Sequence, residues 1–285
     1  MLVTTKKLAM RAMRADLVYT VQRMQVIAER EGNPFGIAIK AFGAATALAA
    51  ARLPSSRFNR VVGLTPTETP LLPEILAWYA DLGTSPTIEI RPGDLSDSLA
   101  DALVRARFRQ TSFHASLVGE VADTPPTTDI FIRSAEISQI MERFLDVYLA
   151  GWGFPLAIHE GAKANMRGWL GLPGWHLYVV EIDGQAAAAA ISFFHDKVSY
   201  FADICVHPNY RGRRLQSALL AHYKRDAVRL GADMLCSQAT FASASHLNME
   251  RFCTHRRSGR DNSVELRLQS GASFLRIPRF GTNRR

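Results

Sequence analysis

The chain has 285 residues, 47% of them hydrophobic and 21% charged, a composition that supports a packed core and excludes a disordered polymer. Its 34 Lys and Arg against 26 Asp and Glu leave a net charge of +8, which suits a polyanionic ligand such as a nucleotide cofactor, a nucleic acid or an anionic membrane surface. At roughly 150 residues per domain, the length fits two domains of ordinary size.

Near the start, Lys6, Lys7, Arg11 and Arg14 fall where a secretion signal needs an unbroken apolar run. The longest weakly polar stretch, residues 41–53, is too short and too rich in alanine to span a hydrocarbon core of roughly 30 Å. The expectation is a cytoplasmic protein without a membrane contact. A strand is predicted at 58–64, then a helix at 72–82 with Leu72, Ile75, Leu76 and Tyr79 on one face, ending before Gly83. Thr87-Ile-Glu-Ile-Arg91 alternates as a short strand. Residues 94–107 read as a helix capped by Ser96 or Ser98, and 112–121 as another strand. The Pro-Pro pair within 122–129 interrupts both patterns and is the predicted linker, dividing the chain into domains at 1–124 and 129–285.

Beyond the linker, residues 134–149 place Ile137, Ile140, Met141, Phe144, Leu145 and Tyr148 on one helical stripe. Three strands follow at 175–182, 186–194 and 198–206, joined at Asp183-Gly184 and around His195-Asp196-Lys197, which is the pattern of an antiparallel meander. The alanine run at 186–190 reads as strand with little room above it, and Trp152, Trp169 and Trp175 as core or pocket walls. The third strand runs through a basic turn into a helix at 215–230, stopped by Gly231. The fold class is therefore α/β.

A strand, a turn bearing glycine and arginine, and a helix in that order are a physical recipe for binding phosphate, and the alternative reading of such a basic turn is a solvated surface. Orphan N–H groups at a helix start converge on one point, the helix dipole adds roughly half a positive charge, and Arg211, Arg213 and Arg214 add whole ones. The segment Val206-x-Pro208-x-x-Arg211-Gly212-x-x-x-x-Ser217-Ala218-Leu219-Leu220, preceded by the meander, resembles the GNAT N-acetyltransferase superfamily. The family signature is Arg/Gln-x-x-Gly-x-Gly/Ala; Arg211 fills its first position, while Arg214 and Gln216 stand at the two small ones. Downstream, Ser243-Ala-Ser-His-Leu-Asn-Met-Glu-Arg251 resembles the Gly-Ser-x-Ser-x-x-Asn-x-Glu-Arg-x-Gly-Phe segment of double-domain bacterial members.

The resemblance implies two GNAT-like domains, each a mixed, mostly antiparallel sheet flanked by helices, the first having lost its cofactor turn. It implies acetyl-CoA or another acyl-CoA as acyl donor and direct transfer to a small-molecule amine or a peptide, in a monomer or homodimer. Ile204, Cys205 and Val206 would offer backbone groups to the pantetheine arm. Arg211, Gly212, Arg213, Arg214, Leu215, Gln216 and Ser217 would hold the pyrophosphate. Ser243 or Ser245 would stand where relatives hold the pantetheine or a water. Met249 aligns with the usual acid tyrosine, and a thioether donates no proton. For the base, Asp203 is the first choice, expected to have a raised pKa by partial burial, with Tyr200 beside it and His195, His207 and Glu181 behind.

Cys205, Cys236 and Cys253 have none of the paired spacings of a zinc site or a disulfide framework, so no metal is expected. After Cys253 an arginine-rich tail carries one alternating stretch, Val264-Glu-Leu-Arg-Leu268, and three roles stay open for it: completing the fold, binding an anion, or ending the chain loosely. Two rivals to the acyltransferase stand. One is a protein that binds acyl-CoA without turning it over, suggested by Arg214 and Met249. The other is a nucleic-acid binder using the tail, ranked last because no such motif is present and few aromatics lie among its arginines.

Overall fold

The computed structural model describes residues 5–122, 130–240 and 260–268, the last by backbone. Ser243, Ser245, Met249, most of the predicted linker and much of the arginine-rich tail lie outside the described residues.

The chain enters through α1 (Lys6–Ala28), capped by Thr5, whose hydroxyl accepts from the Leu8 amide. Asp16, Tyr19, Thr20 and Arg23 share one face of α1 by their i, i+3, i+4, i+7 spacing, and all four are buried. A hairpin of β1 (Ile37–Phe42) and β2 (Ala45–Ala50) follows, with β3 (Arg60–Val62) antiparallel to β2 and parallel to β4 (Thr87–Ile90). On these strands pack α2 (Leu72–Asp81), through Leu72, Ile75 and Tyr79, and α3 (Asp97–Arg105), through Leu99 and Leu103. Of the two serines predicted to cap α3, Ser96 does so, accepting from the Leu99 amide. The long β5 (Phe108–Gly119) closes this part.

The second part begins with β6 (Ile132–Ser134) on the edge of β7 (Trp175–Ile182), so the predicted helix at 134–149 starts later, as α4 (Ser138–Trp152). After α5 (His159–Met166), the meander of β7, β8 (Gln185–His195) and β9 (Val198–Val206) lies where the alternation put it. Its first turn has Asp183 and Gly184 both at positive φ, as a two-residue hairpin of this twist requires. Then come α6 (Leu215–Arg229), β10 (Met234–Thr240) and β11 (Arg260–Leu268).

The expected α/β class with two mixed, mostly antiparallel sets of strands is what forms, and the two sets join edge to edge in one sheet of order β1-β2-β3-β4-β11-β5-β10-β9-β8-β7-β6. The joint is an exchange: β5, from the first part, pairs with β10, while β11, from the end of the chain, lies between β4 and β5. Part of the arginine-rich tail therefore completes the sheet.

Over β7–β9 the helices form two layers. On one face α1 and α4 bury Tyr19, Phe144 and Leu145 against Trp169, Trp175 and Phe193, and on the other α6 buries Leu215, Leu219 and Tyr223 against Ala188, Ala190 and Phe201. Ala187–190 are fully buried between the layers, and their small side chains let helices close on both faces of β8. No described helix is long and apolar enough to cross a membrane.

Candidate active site

β9 and β10 part company. They pair in parallel from Val198–Met234 to Phe201–Ser237 and no further, while β9 continues along β8 to Val206 and β10 continues along β5 to Thr240. A bulge accompanies the parting: Ile191 faces Asp203 and Ser192 faces Phe201, so Ala202 is an extra residue on β9. In the fork lies a cavity of about 400 Å³ lined by β9 from Tyr200 to Ile204, by Ser237, Gln238 and Ala239 of β10, and by Arg57, Arg60, Glu89 and His114 from the first part.

At the end of β9 a single 3-10 turn, Pro208–Tyr210, leads to the basic loop. Gly212 has φ +79° and nothing within 4 Å of where a Cβ would stand, so its left-handed backbone, not crowding, calls for glycine. Arg213 stacks its guanidinium over the Tyr210 ring at 5.3 Å. The Ala218 amide bonds the Arg214 carbonyl, which puts the amides of Leu215, Gln216 and Ser217 in the first turn of α6, at its N-terminal end. Arg211, Gly212, Arg213 and Arg214 are exposed, while Leu215 anchors the helix start in the core.

Arg214 is the N-cap of α6 at φ 59°, ψ 19°, a left-handed conformation that costs an L-residue roughly 1–2 kcal/mol. That backbone is the physical reason for a small residue at this place in the signature. Arg214→Gly is expected to stabilise the fold by about 1 kcal/mol, read as a higher Tm, and a lower Tm would deny the strain.

Asp203 sits at the floor of the cavity as the centre of an ion cluster. Its Oδ2 accepts from the Tyr19 hydroxyl at 2.7 Å, Arg23 Nη1 at 3.1 Å and the Tyr148 hydroxyl at 3.3 Å; its Oδ1 accepts from Arg57 Nη1 at 3.3 Å. Burial pushes this carboxyl up, but Arg57, Arg23 and the Tyr19 hydrogen bond outweigh it and hold the pKa below the usual carboxylate range. The raised pKa expected from the sequence is thus corrected: Asp203 is a paired anion, poorly suited to take a proton from an ammonium. Tyr200 donates to Asp16 Oδ1 at 2.9 Å, and burial together with the Asp16 charge pushes its phenol well above the ordinary value. Arg60 completes a second cluster, with Nη2 2.7 Å from Asp16 Oδ2 and Nη1 3.1 Å from Glu89 Oε2.

Of the other residues singled out from the sequence, Ile204 lines the cavity and Val206 is paired with Ala188. Cys205 points into the layer beneath α4, its thiol facing the carbonyls of Val147 and Tyr148 at 3.7 and 3.8 Å. Burial and Asp203 push that thiol up to about 12, with the Arg211 charge working the other way. Trp169 and Trp175 lie in the core, whereas Trp152 is half-exposed at the cavity. Among the described residues no group of three or more His, Cys, Asp or Glu is placed to hold a metal ion.

α4 reaches β9 through Gly151. A Cβ there would stand 2.8 Å from Cys205 Cβ, 2.9 Å from its sulfur and 3.4 Å from the Val206 nitrogen. Gly151→Ala must push the helix or the strand end aside and is expected to cost about 1–3 kcal/mol in urea unfolding; an unchanged midpoint would show that the strand end yields freely.

Arg57, Arg60, Glu89 and His114, together with the α1 face, were not singled out in the sequence reading. None has a local signature; the β3–β4, β4–β11, β11–β5 and β5–β10 pairings bring the strand residues to the cavity.

By sequence, residues 139–250 match the Acetyltransferase (GNAT) family. No curated protein matches the chain. Among solved structures, a GCN5-related N-acetyltransferase from Kribbella flavida is similar at 16% identity and TM-score 0.55, covering 90% of this chain and 96% of that one. A GCN5-related N-acetyltransferase from Sphaerobacter thermophilus is similar at 15% identity and TM-score 0.56, with 81% and 79% covered. A conserved protein of unknown function from Staphylococcus epidermidis gives 11% identity and TM-score 0.59, with 80% and 92% covered. The forked strands and the basic turn on a helix N-terminus both lie within residues 139–250, the stretch that is similar in sequence to the GNAT acetyltransferase family.

Proposed function

We propose that the protein is an acyl-CoA-dependent N-acyltransferase that moves an acetyl group from acetyl-CoA to an amine by direct attack. The observation that carries this reading is the fork between β9 and β10 with the Gly212 turn and the α6 N-terminus at its open end. The pyrophosphate would lie on the amides of Leu215, Gln216 and Ser217 under Arg211, Arg213 and Arg214, and the pantetheine would run along Ile204, Cys205 and Val206 as an added strand. Ser243 and Ser245 keep their proposed place on that arm.

In the step itself the neutral amine nitrogen attacks the thioester carbonyl, a C–N bond forms, and a backbone N–H near Val206 receives the charge developing on oxygen. Collapse breaks the C–S bond and releases CoA as thiol. Asp203, with a paired charge, positions Arg57 and Tyr19 instead of acting as base. His114, on the cavity wall, is our candidate for taking the amine proton, histidine being the commonest general base.

Calorimetric titration with acetyl-CoA and with free CoA tests the reading: micromolar binding is expected, and folded protein that binds neither overturns it. A second reading, acyl-CoA binding without turnover, is favoured by one feature, the committed charge of Asp203. Tight binding with no thiol release across a panel of amines would select it.

A further inference from the structure

Large apolar side chains gather on one short segment. Among the described residues eleven of them stand exposed, and four, Trp152, Phe154, Leu156 and Ile158, fall within the seven positions 152–158, from the last residue of α4 onward. Scattered singly they would need no account; together they form a ridge, and exposed apolar surface of that kind marks a recognition site. The ridge is held in shape. Gly153, at φ 72°, ends α4 with the two bonds of a Schellman turn, its own amide reaching the Ala150 carbonyl at 3.1 Å and the Phe154 amide the Leu149 carbonyl at 2.9 Å. His159 donates through Nε2 to the Phe154 carbonyl at 2.9 Å, and the Ile158 amide bonds the Pro155 carbonyl at 3.0 Å. The loop thus turns these polar groups on itself and leaves its apolar side chains to solvent.

One end of the ridge opens into the cavity of the fork. Trp152 lines that cavity, its ring 6.3 Å from the ring of Tyr148, and Tyr148 donates to Asp203 at the cavity floor. A molecule whose reacting group enters the fork therefore has an apolar way out over Trp152. The surroundings narrow the occupant. On α4, α5 and the turn after it, Arg143, Lys163 and Arg167 balance Glu142, Asp146 and Glu160, so the ridge lacks the surplus of basic groups that draws an apolar face to an anionic membrane. Gly153, Phe154 and Ile158 use their amides inside the loop, so a peptide laid along it finds few partners for its own backbone, whereas a hydrocarbon chain needs none. We infer that the acceptor is a small primary amine with an apolar tail, its nitrogen in the fork and its tail along Trp152, Phe154 and Leu156. The inference rests on the acyltransferase reading and deepens it by naming the acceptor class.

The test reads kcat/KM from thiol release with acetyl-CoA and butylamine, hexylamine or octylamine, each below its micelle concentration, beside 2-(2-ethoxyethoxy)ethylamine, which has the length of octylamine and a polar chain. A tail on an open ridge has one side in contact, so each added methylene should raise kcat/KM about twofold, about tenfold or more from butylamine to octylamine, and octylamine should exceed its polar counterpart by a similar factor. Leu156→Ser and Phe154→Ser should each lower the ratio of octylamine to butylamine by about threefold or more, mainly through KM. Leu156 is 83% exposed, so its replacement leaves the packing in place. A flat series, a polar amine as good as octylamine, or a ratio that neither variant moves overturns the inference. So does another occupant of the ridge, read as binding to phosphatidylcholine–phosphatidylserine vesicles or as a dimer in sedimentation that the same two variants abolish. Bound acetyl-CoA with no thiol released by any amine of the series overturns it as well. If acetyl-CoA itself does not bind, the acyltransferase reading and this inference fail together, whereas turnover of butylamine with a flat series defeats this inference alone.

Discussion

Asp203→Asn is expected to cost about 3–5 kcal/mol of stability, because removing one partner of a buried pair leaves the other ion uncompensated. Asparagine keeps the shape and one acceptor oxygen but not the charge. Arg23, nearly buried, would then lose its carboxylate and keep the faces of Trp169 at 4.7 Å and Phe58 at 5.6 Å and the hydroxyls of Tyr19 and Tyr148. The pH dependence follows from the depressed pKa of Asp203. A carboxyl held below its unfolded value, about 3.9, contributes stability that is complete above that value and is lost as pH falls through the lower folded one. The difference between wild type and Asp203→Asn in urea unfolding should therefore be full at pH 7 and shrink in acid below about pH 4. A loss under about 1 kcal/mol at pH 7 would make the cluster no stronger than a surface bridge. Replacing Arg23 and Asp203 together by Met and Leu should recover much of the loss, since an apolar pair carries no desolvation penalty.

The same cluster marks the boundary of what was legible in the sequence. The meander was readable because β7–β9 alternate and Asp183-Gly184 is hairpin chemistry, and α6 because a basic turn precedes it and Gly231 ends it. α1 was not, because the buried face carries Asp16, Thr20 and Arg23, which interrupt the apolar stripe of Ala9, Ala12, Ala15, Tyr19, Met24 and Ile27. Four of the six residues at 45–50 are alanine; they bury well under a neighbouring helix, but Thr46 is the one β-branched side chain among them to announce a strand. Asp203 was found for its place next to Ile204, yet the sign of its pKa shift depends on Arg23, 180 residues away in the chain, and on Arg57. Local sequence carries the basic turn. The cavity wall that the first part supplies is assembled by long-range strand pairing and has no local mark.

Arg211→Ala is expected to weaken acetyl-CoA binding by about 1.5–3 kcal/mol, roughly 10- to 150-fold, if its guanidinium makes a charge-assisted bond to phosphate. The position separates binding from folding: Arg211 is exposed, so the variant should unfold within about 0.5 kcal/mol of wild type. Its two neighbours serve as internal controls. Arg213 already stacks on Tyr210, which places part of its interaction within the protein, and Arg213→Ala should cost less than Arg211→Ala. Arg214→Gly should separate the two quantities in sign, raising Tm by relieving the left-handed backbone while weakening acetyl-CoA binding through the lost charge. Salt gives a further check, since exposed charges are screened beyond about 8 Å at physiological ionic strength. Wild-type affinity should fall with added salt, and the Arg211→Ala variant should fall less steeply. Equal affinity of the two proteins at low salt would leave the work to the amides of Leu215, Gln216 and Ser217 and remove Arg211 from the site.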